Sequence, residues 1–233
     1  MKEKTKIKVE VVSDIVCPWC YLAEHNLNRA IDEQPDDFEI EVVFHPFQLN
    51  PEMPYNGVDR LEYMAGKFGG VENVRKMDET MRARAGKESL VYNGDAIKVA
   101  PNTFNGHRLI WLAAKHGLQR EAASRLHSLH FAEGVSVSDT IELIKAGISI
   151  GIPSSEVEVL YTGDDGVNEL KQSEAFWRAM GIRSEPVFTI NNKLMLTGFQ
   201  DTKTFREAFQ QVKRELSIET KPGATCEDDV CDI

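Results

Sequence analysis

The chain has few cysteines, no long apolar run and no surplus of positive charge. Four cysteines in 233 residues are far too few for a disulfide-built scaffold. No stretch approaches the length that spans a bilayer. The opening MKEKTKIKVEVV passes from basic residues straight into alternation, without the apolar core of a secretory signal. A net charge of −10 and a pI of about 5.2 argue against general nucleic-acid binding, which needs a basic face, and against docking on anionic membranes. Phosphate loops, nucleotide and flavin fingerprints and internal repeats are all missing. What remains is ordinary for a globular protein, with 42% hydrophobic and 27% charged residues, enough for a real core. The expected compartment is the cytoplasm, where thiols stay reduced, so a close cysteine pair there points to catalysis or metal binding ahead of a structural bridge.

The hydrophobic period changes along the chain. Ile7, Val9 and Val11 alternate, as in a strand. From Trp19, apolar residues at Leu22, Ala23, Leu27, Ala30 and Ile31 follow helical spacing over about 18–34. Alternation then returns at Phe38, Ile40, Val42 and Phe44. Strand, helix and strand in so short a span predict a βαβ unit with a parallel pair. Residues 51–180 read as helix after helix, with Gly117, Gly134, Gly151 and Gly181 placed to close helices and no convincing strand between them. PVFTI and KLMLTG then predict a hairpin turning at Asn191-Asn192, and Asp201 is placed to cap a last helix carrying Phe205, Ala208, Phe209, Val212 and Leu216. The final SIETKPGATCEDDVCDI is acidic and aperiodic. The expected organisation is an α/β core from residues 1–50 and 181–216, an inserted helical domain over 51–180, and a flexible acidic tail over 217–233.

Cys17 and Cys20 lie in SDIVCPWCYLA, between the first strand and the first helix. A cysteine at a helix start faces unpaired backbone N–H groups and the positive end of the helix dipole, which favour a thiolate. Pro18 is tolerated in the first turn because its missing N–H would be unpaired anyway. Cys17 can attack a disulfide, and Cys20 can then displace the captured partner. A redox dithiol competes with two other readings. One is a structural zinc site that would add Cys226 and Cys231, whose C-x4-C spacing beside C-x2-C is acceptable for ligands. The other is an inert buried pair. Pro186, directly before a strand, is either an edge device or a functional bend.

Taken together, SDIVCPWCYLA at 13–23, FHPFQLNP at 44–51, PNTFNGHRLIWLAAKHG at 101–117, HFAEGVSVSD at 130–139 and MGIRSEPVFTINNKLMLTG at 180–198 resemble the DsbA-type branch of the thioredoxin superfamily, and most closely its FrnE-like subgroup. The resemblance implies a thioredoxin fold with a large inserted all-helical domain, and a thiol–disulfide oxidoreductase or isomerase. In that activity Cys17 is the exposed nucleophile, Cys20 the resolving thiol and Pro186 a cis proline facing them, with Pro18, Trp19 and Glu185 beside the substrate. Members usually carry a small or apolar residue where Glu185 stands. A carboxylate there would disfavour the Cys17 thiolate and make the dithiol a weaker oxidant, suited to reduction or isomerisation.

No metal or organic cofactor is then expected; electrons would come from glutathione or thioredoxin. The expected partners are disulfide-containing proteins or small disulfides, with the chain a monomer or homodimer. Cys226 and Cys231, among acidic neighbours, read as exposed thiols, as a second redox pair relaying to Cys17–Cys20, or as a metal trap. Relatives with glutathione-transferase or 2-hydroxychromene-2-carboxylate isomerase chemistry generally have serine at the position of Cys17. A zinc-binding holdase is a further alternative. Of the polar candidates, His127 and His130 read as a partly exposed helix face, Asn102 as a helix cap or a binding residue, His45 as lying off the site and REAASR as a solvated face.

Overall fold

The computed structural model describes residues 4–35 and 37–219. Strand β1 (Thr5–Ser13) leads to helix α1 (Pro18–Asp32) and strand β2 (Phe38–Pro46), which pairs parallel to β1 from Thr5↔Phe38 to Ser13↔Pro46. Strands β3 (Val58–Asp59) and β4 (Val99–Ala100) form a small antiparallel ribbon around α2 (Arg60–Phe68) and α3 (Val71–Lys87). Helices α4 (Phe104–Ala114), α5 (Gln119–Phe131), α6 (Thr140–Ser149), α7 (Ser154–Thr162) and α8 (Val167–Ala179) follow. Strands β5 (Val187–Ile190) and β6 (Leu194–Thr197) and helix α9 (Thr202–Glu219) complete the described chain. The main sheet runs β2-β1-β5-β6, with β5 antiparallel to both β1 and β6.

The sheet is buried on both faces, and β1 shows why. Val9 and Val11 pair with Ile190 and Phe188 and meet Phe205 and Phe209 of α9 on one face. Val12 and Val187 pack with Phe47, Trp177 and Ile182 on the other. The Phe188 and Phe205 rings meet edge to face, with centroids 4.8 Å apart. Asn26 of α1 is fully buried and satisfied at both ends. Its Nδ2 donates to the Gln200 carbonyl at 3.1 Å, and its Oδ1 accepts from Thr202 Oγ1 at 3.1 Å, which ties α1 to the start of α9.

The hairpin turn stands where the sequence places it. Asn191 and Asn192 adopt left-handed φ of 49° and 54° in a three-residue connection, closed by Lys193 N donating to the Ile190 carbonyl at 3.0 Å. Asp201 caps α9 by accepting from Thr204 N at 2.7 Å. Gly134 carries φ of +72°, and a Cβ there would lie 2.5 Å from the Ala96 backbone, so the turn after α5 admits only glycine.

Several expectations are corrected. The span 51–180 does contain strands, β3 and β4, but two residues each are too short to register as alternation. The last helix continues to Glu219, past the boundary expected at 216. His127 and His130 are buried, not partly exposed, because α5 turns its histidines inward between Leu126, Leu129 and Phe131. REAASR is not a solvated face, since Ala122 and Ala123 are core residues. The rest of the expected tail, including Cys226 and Cys231, lies outside the described residues.

One buried ionic unit holds the α2–α3 region. Arg60 donates to Asp78 at 2.6 and 3.0 Å and to the Gly94 carbonyl at 3.3 Å, while the Tyr92 hydroxyl donates to Asp78 at 2.8 Å. Removing one partner of such a pair strands the other charge. Asp78→Ala is expected to cost about 3–5 kcal/mol, read as a lowered midpoint in urea unfolding with an unchanged slope.

Candidate active site

β1 ends at Ser13, and after four intervening residues the chain enters α1 at Pro18. Cys17 is the residue that caps this helix. Its φ of −87° and ψ of 115° are extended, no side chain satisfies the first turn, and Pro18 occupies the opening position. The Cys17 sulfur is thus the side-chain atom set at the unpaired N–H end of α1. Asp14 fixes the approach. Its carbonyl accepts from Cys17 N at 3.1 Å, and its fully buried carboxylate accepts from Leu49 N at 2.8 Å and stands 3.3 Å from His107 Nε2.

The facing loop comes from the other end of the chain. Because Val12 pairs with Val187, the segment before β5 leaves the sheet edge beside the segment after β1. Its Glu185–Pro186 peptide is cis, as the resemblance implied. Glu185 stands on the dithiol: Cys17 Sγ, Cys20 Sγ and a Glu185 carboxylate oxygen lie within 4.8 Å of one another. Two thiols and one carboxylate are an incomplete donor set for a structural zinc ion, which takes four ligands, and no other Cys, His or acidic side chain among the described residues joins them.

Cys17 is not exposed as expected. It is 4% accessible and Cys20 is 1%, because the helical region closes over them. Burial pushes the Cys20 thiol well above its usual range; Cys17 and Glu185 act in the same direction, and a hydrogen bond with Ser13 opposes them. Burial likewise pushes the Glu185 carboxyl up to about 7, helped by Asp14 and opposed by hydrogen bonds from Cys17 and the backbone and by Arg178. Burial holds the His130 imidazole down near about 3, so it is neutral at ordinary pH.

Cys17 opens onto a cavity of about 400 Å³. Met53, Met64, Met77, Ile97 and Phe131 give it apolar walls, while Arg60, Lys67 and Arg183 supply positive charge. Pro18, Trp19, Ser184 and Glu185 line it too. Trp19 is 36% exposed and held from two sides, by Phe199 edge-on at 6.2 Å and by the Arg84 guanidinium at 4.9 Å from its ring centroid. A larger cavity of about 620 Å³ beside β2, lined in part by His45, contains neither cysteine.

Of the expected site residues, Cys17, Pro18, Trp19 and Glu185 line one cavity, Cys20 stands beside Cys17 and Glu185, and Pro186 follows Glu185 in the chain. Sequence reasoning missed Asp14, although that residue sits inside the quoted SDIVCPWC, it set His130 on a partly exposed helix face away from the site, and it missed Arg60 and the methionine wall. Those are contributed by elements whose long-range packing leaves no local pattern. The N-cap of α4 is Thr103, not the expected Asn102; Asn102, one residue earlier, accepts from Phe104 N at 2.9 Å while its Nδ2 donates to the Met53 carbonyl at 2.8 Å.

A DSBA-like thioredoxin domain model matches residues 8–210 of the sequence, and the chain belongs to that family. Among solved structures, a probable DsbA oxidoreductase from Streptomyces coelicolor superposes with a TM-score of 0.80 at 26% identity, over 90% of this chain and 91% of that one. The cytosolic disulfide reductase DsbM from Pseudomonas aeruginosa, solved with GSH, gives 0.63 at 17% identity, over 89% and 99%. A 2-hydroxychromene-2-carboxylate isomerase gives 0.67 at 11% identity, over 91% and 99%; like DsbM, it shares the fold. None of the curated proteins compared matches the sequence. No helix among the described residues is long and apolar enough to cross a membrane.

The Glu185 carboxyl has a stability signature. Its folded value, about 7, exceeds the ordinary 4.5, so the fold favours the neutral form. That contribution is full below the ordinary value and is lost as pH rises through the folded one. Glu185→Gln removes the loss. It is expected to gain about 1–3 kcal/mol over wild type, after discount for partial exposure, between about pH 4 and pH 8. Thermal unfolding across that pH range measures it.

Proposed function

We propose that the protein is a thiol–disulfide oxidoreductase of the FrnE-like kind, working on protein or small disulfides in a reducing cytoplasm. The observation that carries this reading is the Cys17–Cys20 dithiol at the start of α1, with the Glu185 carboxylate within 4.8 Å of both sulfurs. Cys17 attacks the substrate disulfide and Cys20 displaces it, leaving Cys17–Cys20 oxidised. Glutathione or thioredoxin then returns two electrons. The GSH found with DsbM supports a small-thiol reductant. Isomerisation follows when Cys17 forms a mixed disulfide and a different substrate thiol resolves it.

The apolar cavity beside Cys17 favours a second reading, in which a compact organic molecule is the substrate of a glutathione-dependent transferase or isomerase. The two separate on the resolving thiol, which exchange chemistry needs and the second reading does not.

Insulin reduction and refolding of scrambled ribonuclease test the proposal. Cys17→Ser is expected to lose both activities, and Cys20→Ser to lose insulin reduction while accumulating a mixed disulfide at Cys17. Retention of exchange in the Cys17 variant would sink the proposal. A dead exchange assay alongside turnover of a chromene carboxylate would favour the second reading.

The carboxylate also predicts redox poise. Glu185→Val is expected to make the dithiol more oxidising by about 30 mV, a tenfold change in the exchange equilibrium. Equilibration against glutathione buffers measures the shift, and a potential that stays put or falls contradicts the role given to the charge.

A further inference from the structure

Cys20 poses a proton problem in the resolving step. To resolve a mixed disulfide, it must attack the Cys17 sulfur as a thiolate. Yet its sulfur is buried, and every charged neighbour discourages ionisation. The proton therefore needs a receiver inside the site. The groups acting on Cys20 are Cys17, Glu185 and the Ser13 hydroxyl. In the mixed disulfide Cys17 is bonded to substrate and carries no charge, and a serine hydroxyl is no base at neutral pH. Glu185 remains.

Glu185 is also built for the task by position. Its carboxylate is within 4.8 Å of both sulfurs, and its Oε2 is closed off from solvent with no hydrogen-bond partner among the described residues. Four groups face it: Cys17 and Cys20 at the start of α1, Asp14 after β1, and Arg178 near the end of α8. Of the two carboxylates, Asp14 already accepts from Leu49 N and stands beside His107, whereas the free oxygen of Glu185 is uncommitted.

We propose that Glu185 is the base that takes the Cys20 proton as Cys20 attacks the Cys17 mixed disulfide, so that it is a catalytic residue of the resolving step. The inference rests on the dithiol reading above. In this step the Cys20 S–H bond breaks toward Glu185, the Cys17–Cys20 bond forms and the bond from Cys17 to the substrate sulfur breaks. The substrate leaves as a thiolate and receives the proton that Glu185 holds. The dithiol loses two electrons and the substrate disulfide gains them. In the reverse direction Glu185 returns the proton to Cys20. A carboxyl that titrates near neutrality, as burial makes this one, can both accept and release that proton at working pH.

Single-turnover reaction of the reduced full-length protein with an aromatic disulfide that releases coloured thiolates separates the two steps. The first release reports attack by Cys17, and the second reports resolution by Cys20. In wild type the second rate is expected to rise through neutrality and level off. In Glu185→Gln the first release is expected to be no slower, and the second about 100-fold slower at about pH 7. That deficit should shrink as pH rises and hydroxide replaces the missing base. Glu185→Asp should restore part of the plateau. A second release with wild-type rate and profile in the glutamine variant overturns the proposal, as does a deficit equal at about pH 6 and pH 9, which marks a purely structural role. If the glutamine variant does not fold, the wild-type profile decides: a plateau above neutrality supports the base, and a rate still climbing with pH far above neutrality overturns it. Wild type that gives no second release at all fails the dithiol reading instead, so the two failures are distinct.

Discussion

The pairing of β1 with β5 is the constraint on which the site depends. Residues near position 12 and position 187 become neighbours only because Val12 and Val187 sit opposite each other across an antiparallel ladder. That register sends the loops carrying Cys17 and Glu185 off the same end of adjacent strands. A one-residue slip would exchange the two buried faces of β5, setting each side chain against the wrong core, and carry Glu185 away from the sulfurs. The flanking aromatics, Phe188 against Phe205 on one face and Trp177 near Val187 on the other, make such a slip costly. Packing far from any sulfur thus holds the chemistry in place.

Much of this was legible in the sequence, and the reasons are physical. Ile7, Val9 and Val11 alternate because one face of β1 meets a continuous core. Asn191-Asn192 could be placed because few residues tolerate two consecutive left-handed conformations. Cys17, Cys20 and Pro186 stood out because their chemistry and order in the chain are rare together. The burial of His127 and His130 was not legible, since polar residues on a helix normally face water and these turn inward through contacts made elsewhere. His127 stands 2.7 Å from Glu24 across the interface with α1, and His130 packs edge-on against Phe131 at 4.8 Å. The enclosure of Cys17 was equally hidden, because it depends on how α2, α3 and the β3–β4 ribbon fold back over the start of α1.

Charge in the site is arranged as a set of opposed pressures. The sulfurs and the Glu185 carboxyl share one enclosed space, and burial at Cys20 and at Glu185 favours their neutral forms. Asp14 adds negative charge on one side, and Arg178 offsets part of it on the other. The result is a small enclosed space in which few protons and negative charges can be accommodated at once, so gain or loss of one at any sulfur or carboxyl alters its neighbours.

The bracketing of Trp19 by Arg84 and Phe199 pins one residue of the CPWC stretch to α3 and to the segment that leads into α9. Any displacement of α3 against the sheet is therefore transmitted to the indole, which lines the same cavity as Cys17.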